Sequence, residues 1–275
     1  MADFSLEDLK TLRERLGTGM VDSKNALVEA GGDLEKATEI LRLKGAKSNA
    51  KRSDRSTSEG LVAAVESATA TTLIELACET DFVAKSDKFI ALGNAVLQAL
   101  ADSGAETVDA ALAAKAGNGT VESLISDEAA ILGEKIELRR LARIPGNKFA
   151  VYLHRTSKDL PPQVGVVVAF EGDDAETIRS VAQHISFADP QYLTRDEVPA
   201  ETVENERRIV EEISRGEGKP EAALPKIVEG RVAAFFKQVA LLDQDYAKDN
   251  KVSVGKVLSD AGLKVTRFAR FKVGA

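Results

Sequence analysis

The chain contains 275 residues, of which 44% are hydrophobic and 29% are charged, and its formal net charge is −7. This length allows more than one hydrophobic core, and the acidic balance argues against a uniformly basic surface for binding nucleic acid. The single cysteine, Cys78, excludes an internal disulfide. One cysteine and two histidines are too few ligands for a recognisable zinc site. No apolar run approaches the roughly 20 residues that span a bilayer, and no signal-peptide pattern is visible, so we predict a soluble cytoplasmic protein.

Residues 1–45 are predicted to form a small domain of three helices. Ser5 with Asp8 three residues later resembles a capping box, whereas Asp22 and Asp33 are placed to cap the second and third helices. Gly45 is expected to stop the third helix. Because such a bundle lies near the lower size limit for independent folding, we interpret it as a docking module.

Residues 46–58, AKSNAKRSDRSTS, are predicted to form a flexible linker. The segment has no apolar periodicity and is rich in small, polar and basic residues. Its cations are Lys47, Lys51, Arg52 and Arg55. They are interpreted as the charge of a solvated tether, and contact with nucleic acid is the alternative.

Residues 59–146 are predicted to form the first subdomain of an α+β core. Strand patterns at 61–66 and 72–77 favour a hairpin, and the alternation in KIELRRLARI at 135–144 indicates a half-buried strand. Between them, apolar residues at helical spacing predict three helices, at 88–100, 108–116 and 121–133.

A second core subdomain, residues 147–190 and 243–275, is predicted to repeat this order. It shows a hairpin pattern at 149–155 and 164–170, a helix at 175–187 and a closing strand at 263–273. The segments EKIELRRLARIPG and LKVTRFARFKVG both alternate basic and apolar residues before a glycine, which indicates duplicated antiparallel sheets.

The second subdomain carries an insertion at residues 191–242. Two apolar stripes separated by a break at 215–220 predict a helical hairpin, and Pro225 is expected in the first turn of its second helix. This hairpin either serves an interface or covers its own domain, and the residues alone favour neither.

Motifs of common enzyme chemistry are missing from the sequence. Neither GKP at 218–220 nor GKV at 255–257 completes a phosphate-binding loop, and no dinucleotide fingerprint, HExxH or GxSxG occurs. His154 and His184 show no triad-like spacing and are interpreted as structural or surface residues. We therefore predict no catalytic residue, no metal and no cofactor.

The segment Glu79–Lys85, ETDFVAK, follows a strand pattern and places an aromatic residue beside an acid. One interpretation makes Phe82 a core residue and Asp81 a helix cap. The other makes Phe82 an exposed anchor on a rigid loop. Local physics leaves both open.

Two separated motifs, CETDFVAK at 78–85 and LRERLGTGMVDSKNAL at 12–27, together resemble the bacterial elongation factor Ts family, and the similarity extends over the whole chain. The resemblance implies a UBA-like N-terminal bundle, a duplicated core and a coiled-coil insertion. It also implies no bond-making chemistry but guanine-nucleotide exchange in translation elongation. The implied partner is elongation factor Tu, bound first in its GDP form and then free of nucleotide.

The same resemblance implies the site residues. Thr80, Asp81, Phe82 and Val83 match a loop associated with displacing magnesium from the partner. The implied contacts of the N-terminal domain are Arg13, Met20, Val21 and Lys24, and His154 is implied as a contact of the second core subdomain. No membrane or direct nucleic-acid partner is expected, and the insertion is a candidate element for a homodimer. One rival hypothesis is RNA binding through the basic linker and the strand arginines Arg139, Arg140, Arg267 and Arg270. The other is a small-molecule enzyme, which requires a pocket with convergent polar groups.

Overall fold

The computed structural model describes residues 4–275, so the first three residues of the predicted N-terminal domain lie outside the described range. Helices and antiparallel sheets occur together, which confirms the predicted α+β class. Within residues 4–275, no helix combines the length and the apolar character needed to cross a membrane.

Three helices form the N-terminal bundle: α1 (Leu6–Leu16), α2 (Met20–Glu29) and α3 (Leu34–Ala50). The predicted capping box of Ser5 with Asp8 is confirmed, and Asp33 caps α3 through the backbone N–H groups of Glu35 and Lys36. The cap predicted at Asp22 is wrong, because α2 begins after Gly19 and the Asp22 carboxylate instead pairs with Lys44 at 2.7 Å.

The first half of the core comprises, in chain order, β1 (Glu59–Glu66), β2 (Ala70–Cys78), α4 (Asp81–Ala84), α5 (Asp87–Ser103), α6 (Val108–Ala113), β3 (Lys115–Ala116), β4 (Gly119–Thr120), α7 (Val121–Leu132) and β5 (Ile136–Pro145). The sheet order is β1-β2-β5, and both pairings are antiparallel. The helix predicted at 108–116 is shorter than expected because its last residues form β3, which pairs with β4.

The second half contains β6 (Phe149–His154), β7 (Val164–Glu171), α8 (Ala175–Ala188), α9 (Ala200–Gly216), α10 (Leu224–Val239), β8 (Asp245–Tyr246), β9 (Asp249–Ser253), α11 (Val254–Asp260) and β10 (Lys264–Lys272). Its sheet order is β10-β7-β6, also antiparallel. Each half therefore runs from a hairpin through a helix and a short two-stranded hairpin to a further helix and a closing strand. This shared order agrees with the duplication predicted from the strand sequences.

The two sheets face each other, and each carries helices on its outer side. On β2, Leu73 points to the opposite sheet while Ile74 packs with α5 and α7. On β7, Val167 points to the opposite sheet while Val166 packs with α8 and α11. Because strand side chains alternate between faces, both central strands are buried on both sides. The result is a four-layer helix–sheet–sheet–helix core.

A buried ionic cluster joins the two sheets at one end. The fully buried Glu75 carboxylate on β2 accepts a 2.5 Å bond from Arg140 on β5 and a 3.3 Å bond from the backbone N–H of Gly274. The Arg140 guanidinium also donates to the Lys272 carbonyl and lies 4.8 Å from the Phe271 ring centre. One carboxylate therefore ties the closing strand of the second sheet to the first.

The prediction that α3 stops at Gly45 is wrong, because α3 continues to Ala50. A Cβ atom at Gly45 would lie 2.8 Å from the Ala130 Cβ of α7, so this glycine permits close helix packing rather than ending the helix. Arg42 donates two bonds to Asp127, and Asn49 donates to Ser126, both on α7.

The remainder of the predicted linker is also attached to the core. Thr57 is buried and donates to Glu137 at 2.6 Å, and Arg55 pairs with Glu79 at 3.2 Å. Residues 46–58 therefore do not form the flexible tether that their composition predicts, because their polar groups find partners on the core that local patterns do not reveal.

The insertion forms a helical hairpin of α9 and α10, as its apolar stripes predict. Val210, Val228 and Val232 form its small core, and Pro225 lies in the first turn of α10 as expected. At the base, backbone N–H groups of Gln191 and Tyr192 donate to the Val239 carbonyl, which pairs the two ends of the insertion.

His184 on α8 is a buried structural histidine. Its Nε2 atom lies 2.9 Å from the Gln244 side-chain oxygen, and its Nδ1 accepts the backbone N–H of Ala247 at 3.3 Å, so the ring is neutral with its proton on Nε2. Burial, which outweighs the bond to Gln244, lowers the pKa of His184 below its ordinary value.

This burial predicts a loss of stability in mild acid. The unfolded chain takes up a proton near pH 6.5 whereas folded His184 resists it, so the contribution is fully present above that pH and is lost as the pH falls below it, with a slope of at most about 1.4 kcal/mol per pH unit. Urea unfolding between pH 7.5 and 5.5 should show this slope in the wild type. His184→Gln should flatten it, whereas His154→Gln, at an exposed site, should not.

Candidate functional site

The segment Thr80–Val83 forms the exposed turn that follows β2. Thr80 is the N-cap of α4, and its hydroxyl accepts the Val83 backbone N–H at 3.3 Å. The Phe82 side chain is 74% exposed, whereas Ala84 is buried in the hydrophobic core between the first sheet and its helices. Of the two interpretations of this segment, the geometry therefore favours the exposed anchor, and Thr80, not Asp81, is the cap.

The Phe82 ring has a charged neighbour in Lys85, which directly follows α4. The Lys85 ammonium lies 4.3 Å from the ring centre and 3.3 Å from the Asp81 carboxylate. An ammonium over an aromatic face is an attractive but weak contact at an exposed site. Phe82 is thus supported on one face by Lys85, and most of its surface remains available.

Glu134 holds the backbone that leads into this turn. Its Oε2 atom accepts the backbone N–H groups of Glu79 at 3.1 Å and Thr80 at 3.0 Å, and its Oε1 accepts the Thr80 hydroxyl at 2.5 Å. Glu134 follows Gly133, whose φ of 77° ends α7 in the left-handed region that favours glycine. One carboxylate therefore accepts three hydrogen bonds from two consecutive residues.

Glu79 makes a reciprocal contact with the segment that follows α7. Its Oε1 atom accepts the backbone N–H of Lys135 at 2.6 Å, and its Oε2 lies 3.2 Å from the Arg55 guanidinium. Partial burial opposes ionisation, but the bonds from Lys135 and Arg55 outweigh it and keep the pKa of Glu79 below its ordinary value. Glu79 and Glu134 thus form a reciprocal brace between the end of β2 and the residues after α7.

Cys78 closes the same motif from the interior. It is fully buried, and its thiol donates to the Thr80 carbonyl at 3.3 Å. Burial, reinforced by the nearby Glu134 and Glu59 charges, raises the pKa of the Cys78 thiol to about 12. The thiol therefore stays protonated at neutral pH and supports the turn instead of acting as a nucleophile.

The N-terminal candidates lie around the connection between α1 and α2. Met20 is 56% exposed and Val21 is 71% exposed at the start of α2, and Lys24 is exposed one turn later. Arg13 lies in the last turn of α1 and is partly buried. Met20, Val21 and Lys24 therefore share an accessible region, whereas Arg13 is less available.

His154 lies at the end of β6, on the other half of the core from Phe82. It is exposed, and its Nδ1 atom is 3.1 Å from the Tyr152 hydroxyl. Both side chains line a groove with the exposed Phe187 of α8 and the buried Tyr246. The structure therefore places His154 on a surface separate from the Thr80–Val83 turn.

Three of the arginines invoked for RNA binding are engaged inside the protein. Arg139 and Arg140 both contact the Glu75 carboxylate, and Arg270 pairs with Asp189 at 2.6 Å while donating to the Ser186 carbonyl. These arginines thus have structural partners.

Residues 4–275 contain no cluster of three or more side chains suited to hold a metal ion.

Sequence reasoning missed the brace of Glu79, Glu134, Arg55 and Lys135. Glu79 lies inside the CETDFVAK motif, but local patterns assign it no role, and Glu134 is 54 residues away from Thr80 along the chain. The available signal was the Gly-Glu-Lys triplet at 133–135, where a helix-ending glycine precedes an acid at the start of a strand.

Comparison with known proteins identifies the family. The family model described as Elongation factor TS matches residues 79–275. Over the full length of both chains, the elongation factor Ts proteins of Leifsonia xyli subsp. xyli and Clavibacter sepedonicus are each 71% identical to this chain. The elongation factor Ts of Tropheryma whipplei is 56% identical, also over the full length of both. The chain therefore belongs to the elongation factor Ts family of translation elongation factors.

Proposed function

We propose that this protein is a guanine-nucleotide exchange factor that binds GDP-loaded elongation factor Tu, displaces its magnesium ion and promotes GDP release so that GTP can bind. The observation that carries the proposal is the exposed Phe82 on a braced one-turn helix, in a chain of this family. The protein makes and breaks no covalent bond in this role and needs no cofactor.

Exchange follows from thermodynamic reciprocity. An exchange protein that binds the nucleotide-free partner more tightly than the GDP-bound partner must lower the affinity of the partner for GDP. The ratio is the same as that by which bound GDP lowers the affinity of the partner for the exchange protein. The factor therefore requires contacts that fit only a partner whose nucleotide site is distorted.

Phe82 supplies such a contact in the proposal. Inserting the exposed ring between helices of the partner's nucleotide domain buries apolar surface worth roughly 1.5 to 3 kcal/mol. Magnesium requires near-ideal octahedral geometry, so a small shift of the elements that hold it is enough to release the ion. Asp81 is assigned to holding the turn through Lys85 and is not a magnesium ligand. Thr80 and Val83 present the ring through the N-cap and the core contact of α4.

The remaining candidates are proposed as docking contacts. Met20 and Val21 form an exposed apolar contact, in which the flexible methionine adapts to the partner surface. Lys24 and Arg13 provide charge beside it. His154, with the groove next to it, is proposed to contact a different domain of the partner, since it lies on the other half of the core. A homodimer through the helical hairpin remains a separate hypothesis for the insertion.

The direct test measures release of labelled GDP from elongation factor Tu. Addition of this protein should accelerate release in the presence of magnesium, and chelation of magnesium serves as the positive control for a release-competent sample. Amounts below stoichiometric should act repeatedly when unlabelled nucleotide is in excess. No acceleration at stoichiometric excess would overturn the proposal.

A further inference from the structure

We propose that Glu134 is a positioning residue for nucleotide exchange: it fixes Thr80, and through Thr80 the α4 turn, so that Phe82 is already presented before the partner binds. This inference rests on the proposed function. It assigns a role to a side chain outside the Thr80–Val83 turn that reaches it from the end of α7.

The turn needs such support because it has little stability of its own. The α4 helix has four residues, and helix nucleation is unfavourable for so short a segment. Phe82 is 74% exposed and contributes little burial, so α4 is anchored to the core mainly through Val83 and Ala84. The entry of the chain into the helix is therefore set by polar bonds, of which Glu134 accepts three.

Glu134 also determines the orientation of the Thr80 hydroxyl. That hydroxyl donates to Glu134 at 2.5 Å and accepts from the Val83 backbone N–H at 3.3 Å. Because a carboxylate accepts and never donates, the hydroxyl hydrogen points to Glu134 and a lone pair is left for Val83. The geometry of the α4 cap is thus fixed by an acceptor from a distant part of the chain, between α7 and β5.

The same scaffold supports the N-terminal bundle. The α7 helix that ends beside Glu134 bonds to α3 through Asp127 and Ser126. Arg55, just beyond α3, completes the brace through Glu79, and its carbonyl accepts the Lys135 ammonium at 3.2 Å. The bundle that carries Met20 and the turn that carries Phe82 are therefore both held by α7. Their relative positions are set before binding, which lowers the conformational entropy lost when both contact a partner.

Loss of the brace is expected to change affinity more than the maximal rate. When only a fraction of molecules presents the competent turn, apparent affinity falls by that fraction, whereas saturation restores the bound form. For Glu134→Ala we expect the half-saturating concentration for GDP release to rise about tenfold with the maximal rate nearly retained. Glu134→Gln, which keeps one acceptor oxygen, should lie between Glu134→Ala and the wild type.

The matched control is Glu122→Gln, an exposed acid in the first turn of α7, the helix that ends just before Glu134. It should keep the wild-type half-saturating concentration. If Glu134 had only a structural role, Glu134→Ala would lower the fraction of active protein and the midpoint of thermal unfolding without changing the half-saturating concentration. Hydrogen exchange should show faster exchange at the amides of residues 79, 80 and 83 in Glu134→Ala.

A double-variant cycle tests whether Glu134 acts through Phe82. In a Phe82→Ala background, Glu134→Ala should cause much less than its single effect, because residues that act through one another are not additive. An unchanged half-saturating concentration in the folded Glu134→Ala variant overturns the inference, as does full additivity. If Glu134→Ala fails to fold, Thr80→Val carries the test: its loss should be rescued by Thr80→Ser, and equal values for the two overturn the inference.

Failure of the proposed function gives a different pattern. In that case the wild type does not accelerate GDP release, and all variants are equal. The hydrogen-exchange measurement needs no partner, so it still reports whether Glu134 holds the turn.

Discussion

Replacement of Phe82 by alanine is expected to reduce the efficiency of GDP release, the maximal rate divided by the half-saturating factor concentration, by about 10- to 150-fold, which corresponds to losing roughly 1.5 to 3 kcal/mol of apolar burial. The fold should not change, because the ring is 74% exposed and contacts mainly Lys85. Stopped-flow release of fluorescent GDP from elongation factor Tu, measured over a range of factor concentrations, separates maximal rate from affinity.

Two variants make this result specific. Ile213→Ala removes another exposed apolar side chain, on the helical hairpin, and should leave exchange unchanged. Phe82→Leu keeps apolar volume and should retain part of the acceleration. Wild-type exchange by a folded Phe82→Ala protein would remove Phe82 from the mechanism.

Replacement of Glu75 by alanine is expected to lower the free energy of unfolding by about 1 to 3 kcal/mol, the usual cost of leaving a buried hydrogen-bond donor without its acceptor. The variant removes the acceptor of the Gly274 backbone N–H and the carboxylate shared by Arg139 and Arg140, and Arg140 keeps only its bond to the Lys272 carbonyl. Urea unfolding followed by circular dichroism measures the change.

The control for Glu75 is an exposed acid at the end of β7, the central strand of the second sheet. Glu171→Ala disrupts an exposed pair with Lys264, and surface pairs contribute about 0 to 1 kcal/mol. A loss at Glu75 no larger than that at Glu171 would show that the buried cluster does not hold the sheets together.

Most secondary-structure elements were predictable because their signals are local. The capping box at Ser5, the cap at Asp33 and the presence of strands at β5 and β10 follow directly from neighbouring residues and are confirmed. The short hairpins β3–β4 and β8–β9 were missed, since β3, β4 and β8 have only two residues each and such strands carry almost no periodicity.

The errors at Gly45 and in the predicted linker share a physical cause, which is contact with distant parts of the chain. Glycine is a residue that commonly ends helices, and Gly45 was therefore predicted to end α3. In the structure, Ala130 of α7 packs so closely against Gly45 that no side chain fits there, and this packing overrides the low helix propensity of glycine. The position of Phe82 could not be decided locally either, because it depends on Glu134 binding Thr80 from a distant segment. Sequence patterns located the candidate turn, and only the fold showed what holds it.

The paired base of the helical hairpin has a consequence for variation in length. The chain leaves the second core subdomain at Gln191 and Tyr192 and returns at Val239, to which both are hydrogen-bonded. The hairpin is therefore a side branch with adjacent attachment points, and loop-closure entropy grows only slowly with the length between such points. Evolution can lengthen, shorten or replace this branch while the sheets, and with them the turn at Phe82, keep their positions.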